Sequence, residues 1–441
     1  MPLARLVVSK TTVRFCFLTL IFICLTGISL GQRRPARTTQ RPDLLIRNVT
    51  LVDVVNKKVL TNKTIGVTGD RITSIEDHPT TQTGKTIIDG SNYIALPGFI
   101  NTHTHLWQHI CKACAPKEKL QQWVRIYNPI HYLTPEELYE VVLAASSEAA
   151  LSGITTVSDY ASLGFNDYAF ETNARAIEEA GLGGVLVWSN TAIFLPDHIK
   201  LAELRRLREA NKNQFDIWMG FGGLSFYSLP QVYSGIVIAQ KLGMKTTEHT
   251  MENIEEQRSL YDALSNYHAT YKDRLNSADR MMLEQALALG RPATVDSFDI
   301  ISREAQQALE IDSTQNKLTA EQKEILSKLT RQRVISPLPI LDYLKALPNY
   351  LAIHSVWQQR EDIEIMQRNN VSISHNPESN MYLSSGIAPI SNYLKSGITV
   401  SLGTDGAASN DGINFFSAMR EMWNLYKIDY MNTDVTRSFE E

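Results

Sequence analysis

The sequence predicts an α/β protein: a barrel of eight parallel strands, with a small β module ahead of it and a helical insertion within it. Three observations carry this. From residue 93 onward strand-like and helix-like segments alternate, the pattern of a parallel sheet covered by helices. The strand candidates number eight, which is enough to close a barrel. Histidines and carboxylates recur just past strand ends, where the active sites of such barrels lie. At 441 residues the chain has room for one such domain with attachments.

Residues 1–31 read as an export signal. Arg5, Lys10 and Arg14 form a basic start, 15–30 is apolar, and Ser29-Leu30-Gly31 offers small residues at the −3 and −1 positions of a cleavage site before Gln32. The apolar run falls short of the ~20 residues that span a bilayer, so a cleaved signal is expected over a retained anchor. A secreted or periplasmic protein without further membrane attachment follows. The chain is 43% hydrophobic and 20% charged, an ordinary globular composition, and its net charge of −4 offers no basic footprint for nucleic acid. Removing residues 1–31, which hold three basic and no acidic residues, makes the remainder more acidic still. Beyond Cys16 and Cys24 of the signal only Cys111 and Cys114 remain. A zinc knuckle needs a second pair, so these are expected as buried or disulfide-paired loop residues.

Residues 32–42 are rich in Arg, Thr and Pro and read as a flexible leader. Over 43–92, short β runs at 44–52, 58–67, 71–75 and 86–88 are separated by turn residues such as Gly69-Asp70. This is the β module. The barrel domain, 93–441, begins with an apolar run expected as a strand over 93–102. Thr134-Pro135-Glu136-Glu137 then opens a helix, with an N-cap, a proline at the first position and a carboxylate at the third. Strands are expected over 154–160, 182–189, 215–222, 245–250, 350–356, 371–374 and 398–402. Helices are expected over 168–180, 199–211, 230–242, 361–368, 390–395 and 415–430. One stretch breaks the rhythm: 104 residues separate His249 from His354, far more than one βα connection requires. About 255–333 is charged and helical in pattern, with helices expected before Gly290 and over 318–329. It is read as an insertion, serving either as a lid over the barrel mouth or as a surface helical pair or oligomer contact.

The chemistry gathers at strand ends. His103 and His105 close the first strand, and an H-x-H on an extended segment points both imidazoles the same way. The fifth strand ends in His249 followed by Glu252, the sixth in His354, the seventh in His375-Asn376 and the eighth in Asp405. Packing alone does not place so many polar groups at one rim. Imidazoles with a carboxylate suit one divalent ion: zinc first, iron or manganese less clearly. Water beside such an ion loses its proton near pH ~7, and Glu252 is placed to carry a proton between that water and a ring nitrogen or leaving group. Glu255 and Glu256 read as solvated helix residues.

These residues resemble the amidohydrolase superfamily, in the branch of cytosine deaminases, adenosine-type deaminases and triazine hydrolases. The motifs are Pro97-Gly-Phe-Ile-Asn-Thr-His103-Thr-His105, His249-x-x-Glu252, His354-Ser-Val-Trp, the run from His375-Asn-Pro-Glu-Ser-Asn380 to Pro389, and Leu-Gly-Thr-Asp405-Gly. The resemblance spans about 43–430 apart from the insertion. It implies a distorted (β/α)8 TIM barrel with one catalytic metal held by His103, His105, His249 and Asp405. Asp405 would also take a proton from water, Glu252 would shuttle a proton to substrate, and His354 would orient the water or polarise the substrate. His375, Asn376 and Asn380, with the rest of the 379–386 loop, would line the pocket. Trp107, Trp188, Phe221 and Trp357 offer aromatic walls for a planar ring, Trp107 foremost. Binuclear relatives carry a lysine at the end of the fourth strand. Here that end reads Ile217-Trp218-Met219-Gly220 without one, which supports the mononuclear type.

The resemblance also implies further strands after the barrel that complete the module as a β-sandwich. Only 36 residues follow Asp405, so the module is expected to be incomplete, through truncation or because another subunit, as in a homo-oligomer, covers it. The expected activity is hydrolytic deamination of an aminated N-heterocycle, a small-molecule substrate. The alternatives are dechlorination or dealkylamination of a related ring, cyclic amide or amidine hydrolysis, and, from another class, a truncated chain that is inactive or only binds.

Overall fold

The computed structural model describes residues 41–77, 83–112, 114, 117–125, 132–161, 168–189, 196–212, 214–288 and 335–430. The expected export signal, most of the expected leader and the helix expected over 318–329 lie outside these residues. The chain forms two compact units, one ending at Pro97 and one beginning at Gly98.

The first unit is a five-stranded sheet of β1 (Leu44–Asp53), β2 (Lys58–Thr68), β3 (Arg71–Asp77), β4 (Thr86–Asp89) and β5 (Ile94–Ala95). The first three pair antiparallel in sequence, and β4 and β5 both add parallel to β1. Asn48 adopts φ 59° where the β1–β2 register shifts between Ile46 and Val49, a left-handed position that asparagine tolerates better than a branched residue. Leu45, Val49 and Ile65 are the module's buried hydrophobic residues.

The apolar run expected as one strand over 93–102 is two. Ile94–Ala95 pairs with Thr50 and Leu51 of β1, whereas Phe99–Thr104 (β6) is the first barrel strand. Pro97 has no N–H for a ladder. Gly98 is needed for close approach, since a Cβ there would lie 2.3 Å from the Thr155 side chain.

The barrel continues through β7 (Ile154–Asp159), β8 (Gly183–Ser189), β9 (Phe215–Gly220), β10 (Thr246–Thr250), β11 (Tyr350–His354), β12 (Ser372–His375) and β13 (Val400–Leu402). Every successive pair is parallel, in chain order. Between the last strand and the first, Asp405 N donates to His103 O at 3.1 Å, and side chains add to the seam. Thr102 Oγ1 donates to Leu402 O at 2.8 Å, and Asn101 bonds Thr404 twice, through Nδ2 to Oγ1 at 2.8 Å and from Thr404 N to Oδ1 at 3.0 Å.

Helices cover the barrel as the apolar periodicity requires. In Pro135–Leu151 the buried positions Leu138, Val142, Ala145 and Ala149 recur every three or four residues, one stripe of a helix facing the sheet. Its start is fixed by a reciprocal cap: Glu137 N donates to Thr134 Oγ1 at 3.2 Å and Thr134 N to Glu137 Oε2 at 2.8 Å. Leu229–Leu242 has the same kind of cap and ends at Gly243 with φ 58°. In the stretch expected as an insertion, the described residues form the helices Glu256–Tyr271 and Ser277–Ala288, which bury Leu260, Leu264, Leu283 and Ala286. The described residues include no helix long and apolar enough to cross a membrane.

Candidate active site

Five of the residues singled out at strand ends meet at one point. His103 and His105 leave β6 two residues apart. Asp405 stands just past β13 with its Oδ1 3.2 Å from His103 Nε2 and 3.5 Å from His105 Nε2. His249, from β10, brings its Nε2 to 3.2 Å from His105 Nε2. His354, from β11, approaches Asp405 Oδ2 with its Nε2 at 3.8 Å. Two overlapping groups, His103-His249-His354 and His103-His105-Asp405, can each hold a metal ion.

The donor set fits a divalent cation. His105 Nε2 and His249 Nε2 face each other at 3.2 Å, where a cation would take the lone pairs of both. Here the neighbouring carboxylate is an acceptor as well. Burial lowers the pKa of His103, and lowers that of His105 further, which keeps their rings neutral and suited to ligation. Burial disfavours the Asp405 charge, but the hydrogen bond from His103 and the histidines around it outweigh this and hold the carboxyl well below the usual range.

Glu252 lies beside this centre, its Oε2 3.5 Å from His354 Nε2. Burial, with the negative charges of Asp405 and Glu256, pushes its pKa well above the ordinary carboxylate value. Two neighbouring carboxyl groups shifted in opposite directions are the pairing that general acid–base chemistry needs. His354 is held from the other side, where its Nδ1 lies 2.9 Å from Asn380 Oδ1 and 3.3 Å from Asn376 Nδ2. Donation from Nδ1 to Asn380 leaves Nε2 as an acceptor towards Glu252. Burial takes the His354 pKa down to about 3.

The backbone at these strand ends is unusual. Met251, His354, Ser355 and Asp405 all have left-handed φ between 49° and 63°, at the ends of β10, β11 and β13. Such conformations cost ~1–3 kcal/mol each and persist where the surroundings over-determine them. Gly403 allows the closest approach: a Cβ there would come 2.2 Å from Asn376 Oδ1 and 2.8 Å from His103 O.

Other sequence-derived residues are placed differently. His375 is buried and belongs to neither metal-holding group; burial lowers its pKa to about 3. Trp107 is buried with its ring 5.7 Å from that of His105, and its Nε1 donates to Tyr160 O at 3.1 Å. Phe221 stacks on Tyr350 at 5.7 Å, and Trp357 Nε1 donates to Ser385 O at 2.7 Å. Cys111 and Cys114 are free thiols, the first buried and the second exposed. Glu256, expected in solvent, is 2% exposed. Its Oε1 accepts from Glu252 N at 2.7 Å and Asn253 N at 3.2 Å, and so pins the turn that carries Glu252. Glu255 is the more open of the two and pairs with Lys119 at 3.2 Å.

Three supporting groups escaped the sequence reading: Asp159 at the end of β7, Tyr160 just past it, and Glu248 immediately before His249. Asp159 Oδ1 accepts from Leu106 N and Oδ2 from Asn173 Nδ2, both at 2.9 Å, which anchors the segment after the H-x-H. Asp159 and Tyr160 carry a signal in the sequence, as polar residues at a strand end.

The model of the Amidohydrolase family matches residues 94–440. A 5'-deoxyadenosine deaminase from Methanosphaera stadtmanae is 27% identical over 404 residues, 89% of this chain and 76% of that protein. A 5-methylthioadenosine/S-adenosylhomocysteine deaminase from Syntrophomonas wolfei is 29% identical over 360 residues, 80% of this chain and 67% of that one. The crystal structure of a zinc-bound adenosine deaminase from Xanthomonas campestris superposes with a TM-score of 0.65 at 18% identity, covering 89% of this chain and 76% of that one, a likeness of fold.

Proposed function

The chain belongs to the Amidohydrolase family, and from that premise we propose that it is a metal-dependent hydrolase that removes ammonia from an aminated N-heterocycle. The observation that carries this reading is the meeting of His103, His105, His249, His354 and Asp405 at one place, with Glu252 beside them.

His103, His105, His249 and Asp405 would hold one divalent ion, zinc by the nitrogen-rich donor set and iron or manganese as alternatives. Such an ion supplies Lewis acidity that makes water nucleophilic near neutral pH. Asp405, ionised among histidines, accepts a proton from the attacking water. Glu252 delivers its proton to the ring nitrogen, the amine leaves as ammonia with the proton that Asp405 took from the water, and the hydroxyl proton of the adduct returns to Glu252 as the carbonyl forms. His354, fixed through Nδ1 by Asn380, accepts a hydrogen bond from the attacking water at Nε2 and so orients it. Asn376, Asn380, His375 and Trp107 are assigned to the pocket wall. Adenosine-type nucleosides, the substrates named for the relatives, are the first to test. The export reading of residues 1–31 places the activity outside the cytoplasm, and N-terminal sequencing of the mature chain tests it.

The deciding experiment combines metal analysis with ammonia release on 5'-deoxyadenosine, 5'-methylthioadenosine, S-adenosylhomocysteine, guanine and cytosine. About one equivalent of metal per chain and turnover of at least one amine are expected, both lost in His249→Ala. Undiminished turnover in that variant would overturn the ligand assignment.

A further inference from the structure

We infer that Glu248 is a positioning residue for His249: its carboxylate fixes the ring so that Nε2 presents a lone pair to a cation. The inference rests on the metal reading above.

Adjacent residues on a strand leave it on opposite faces, so Glu248 and His249 start out pointing apart. The Glu248 side chain nevertheless turns back. Its Oε1 accepts from His249 N at 3.1 Å and lies 3.5 Å from His249 Nδ1. Oε2 accepts from Gly222 N at 2.7 Å, and Tyr160 OH donates to the carboxylate at 3.1 Å and 3.3 Å. The side chain is only 7% exposed. Three strand ends, β7, β9 and β10, thus hold one buried carboxylate in place beside one imidazole.

A purely structural reading would make Glu248 a tie between these strands. That role needs acceptor oxygens but no charge, and the oxygen of a glutamine could accept the shortest of the bonds. The approach to Nδ1 is what the structural reading leaves unexplained. Glu248 offers only acceptors there, so the stable tautomer of His249 carries its proton on Nδ1. Nε2, the atom 3.2 Å from His105 Nε2, then keeps its lone pair. A carboxylate behind a ligating histidine also raises the ring's basicity, and loss of such a partner weakens metal binding by about 10–100-fold.

The test is zinc affinity of the full chain by competition with a chromophoric chelator, with thermal unfolding of the zinc-free protein in parallel. Glu248→Gln is expected to bind zinc about 10–100-fold more weakly while its zinc-free unfolding temperature stays near that of the parent. Tyr160→Phe, which removes one donor and leaves the charge, should lose less. Affinity in Glu248→Gln within twofold of the parent would overturn the inference. Should that variant fail to fold, the parent chain decides alone: ¹⁵N NMR of its histidines, with His249 assigned by the signal missing in His249→Gln, should show the Nδ1-protonated tautomer. The Nε2-protonated form would overturn the inference. Failure of the parent to bind zinc would overturn both this inference and the metal reading. Zinc binding without ammonia release from any substrate would sink the deaminase reading and leave the role of Glu248 standing.

Discussion

In the barrel unit, Glu252, His354 and Asp405 are buried at strand ends, whereas in the β module Ile72, Ile75, Ile87 and Ile94 stand exposed on their strands. Each unit departs from the usual partition of residues, in opposite directions. Burying a polar group without partners costs several kcal/mol, so the barrel must surround such groups with donors and hold them on constrained backbone. The module departs by leaving apolar side chains open. Ile87 and Ile88 are consecutive in β4 and 47% and 43% exposed; since successive strand residues face opposite ways, each face of β4 is partly open among the described residues. In the barrel the departure marks chemistry. In the module it marks a sheet with a thin core of Leu45, Val49 and Ile65.

The contrast can be broken at its strongest point first. Glu252→Gln should retain metal and fold and lose ~10²–10⁴-fold in turnover, as expected for removal of a general acid–base group. Near-normal rates would make the buried carboxyl a packing residue, and the barrel rim no more functional than the module. Within the module, Leu45→Ala should cost ~2–5 kcal/mol in a denaturant melt, because it removes fully buried hydrocarbon. A cost near zero would mean that the module contributes no core at all.

A third test concerns pH. Burial raises the Asp159 pKa to about 6, against an ordinary value of 3.8. Between these values the folded chain binds more protons than the unfolded one, so stability falls as pH rises through that window and levels off above it. The loss amounts to about 3 kcal/mol, and Asp159→Asn should flatten it in melts taken from pH 4 to pH 7. An unchanged slope would place the titration elsewhere. The smallest effect is expected from Ile72→Thr, 66% exposed, which should shift stability by no more than ~0.5 kcal/mol. A larger penalty would show that this face is covered in solution.

Much of the barrel was legible because parallel strands and amphipathic helices write different periods into the sequence. The helix at 415–430 and the cap at Thr134 are where the pattern puts them. The metal-facing histidines were legible because each sits at a strand end. Glu256 was not, since an acidic residue at the start of a charged helix looks solvated until the turn it pins is seen. Glu248 was hidden by strand alternation, which sends its Cβ away from His249 and gives no hint that the carboxylate returns. The split at Pro97 was hidden by an apolar run that continues across two different sheets.

The seam between β6 and β13 has a mechanical meaning. His103 and Asp405 stand on either side of it, on the first and last strands of the barrel, 302 positions apart in the chain. A cation shared by those two residues would act as a clasp, closing the barrel where hydrogen bonds already join its ends. Its binding energy would then be stored in the topology of the whole domain, adding RT ln(1 + [L]/Kd) to the work of unfolding, about 4 kcal/mol at a thousandfold excess over Kd. Chelation should therefore do more than silence the rim. It should release the first strand from the last and make the barrel open there first, as protease cutting or hydrogen exchange along β6 and β13.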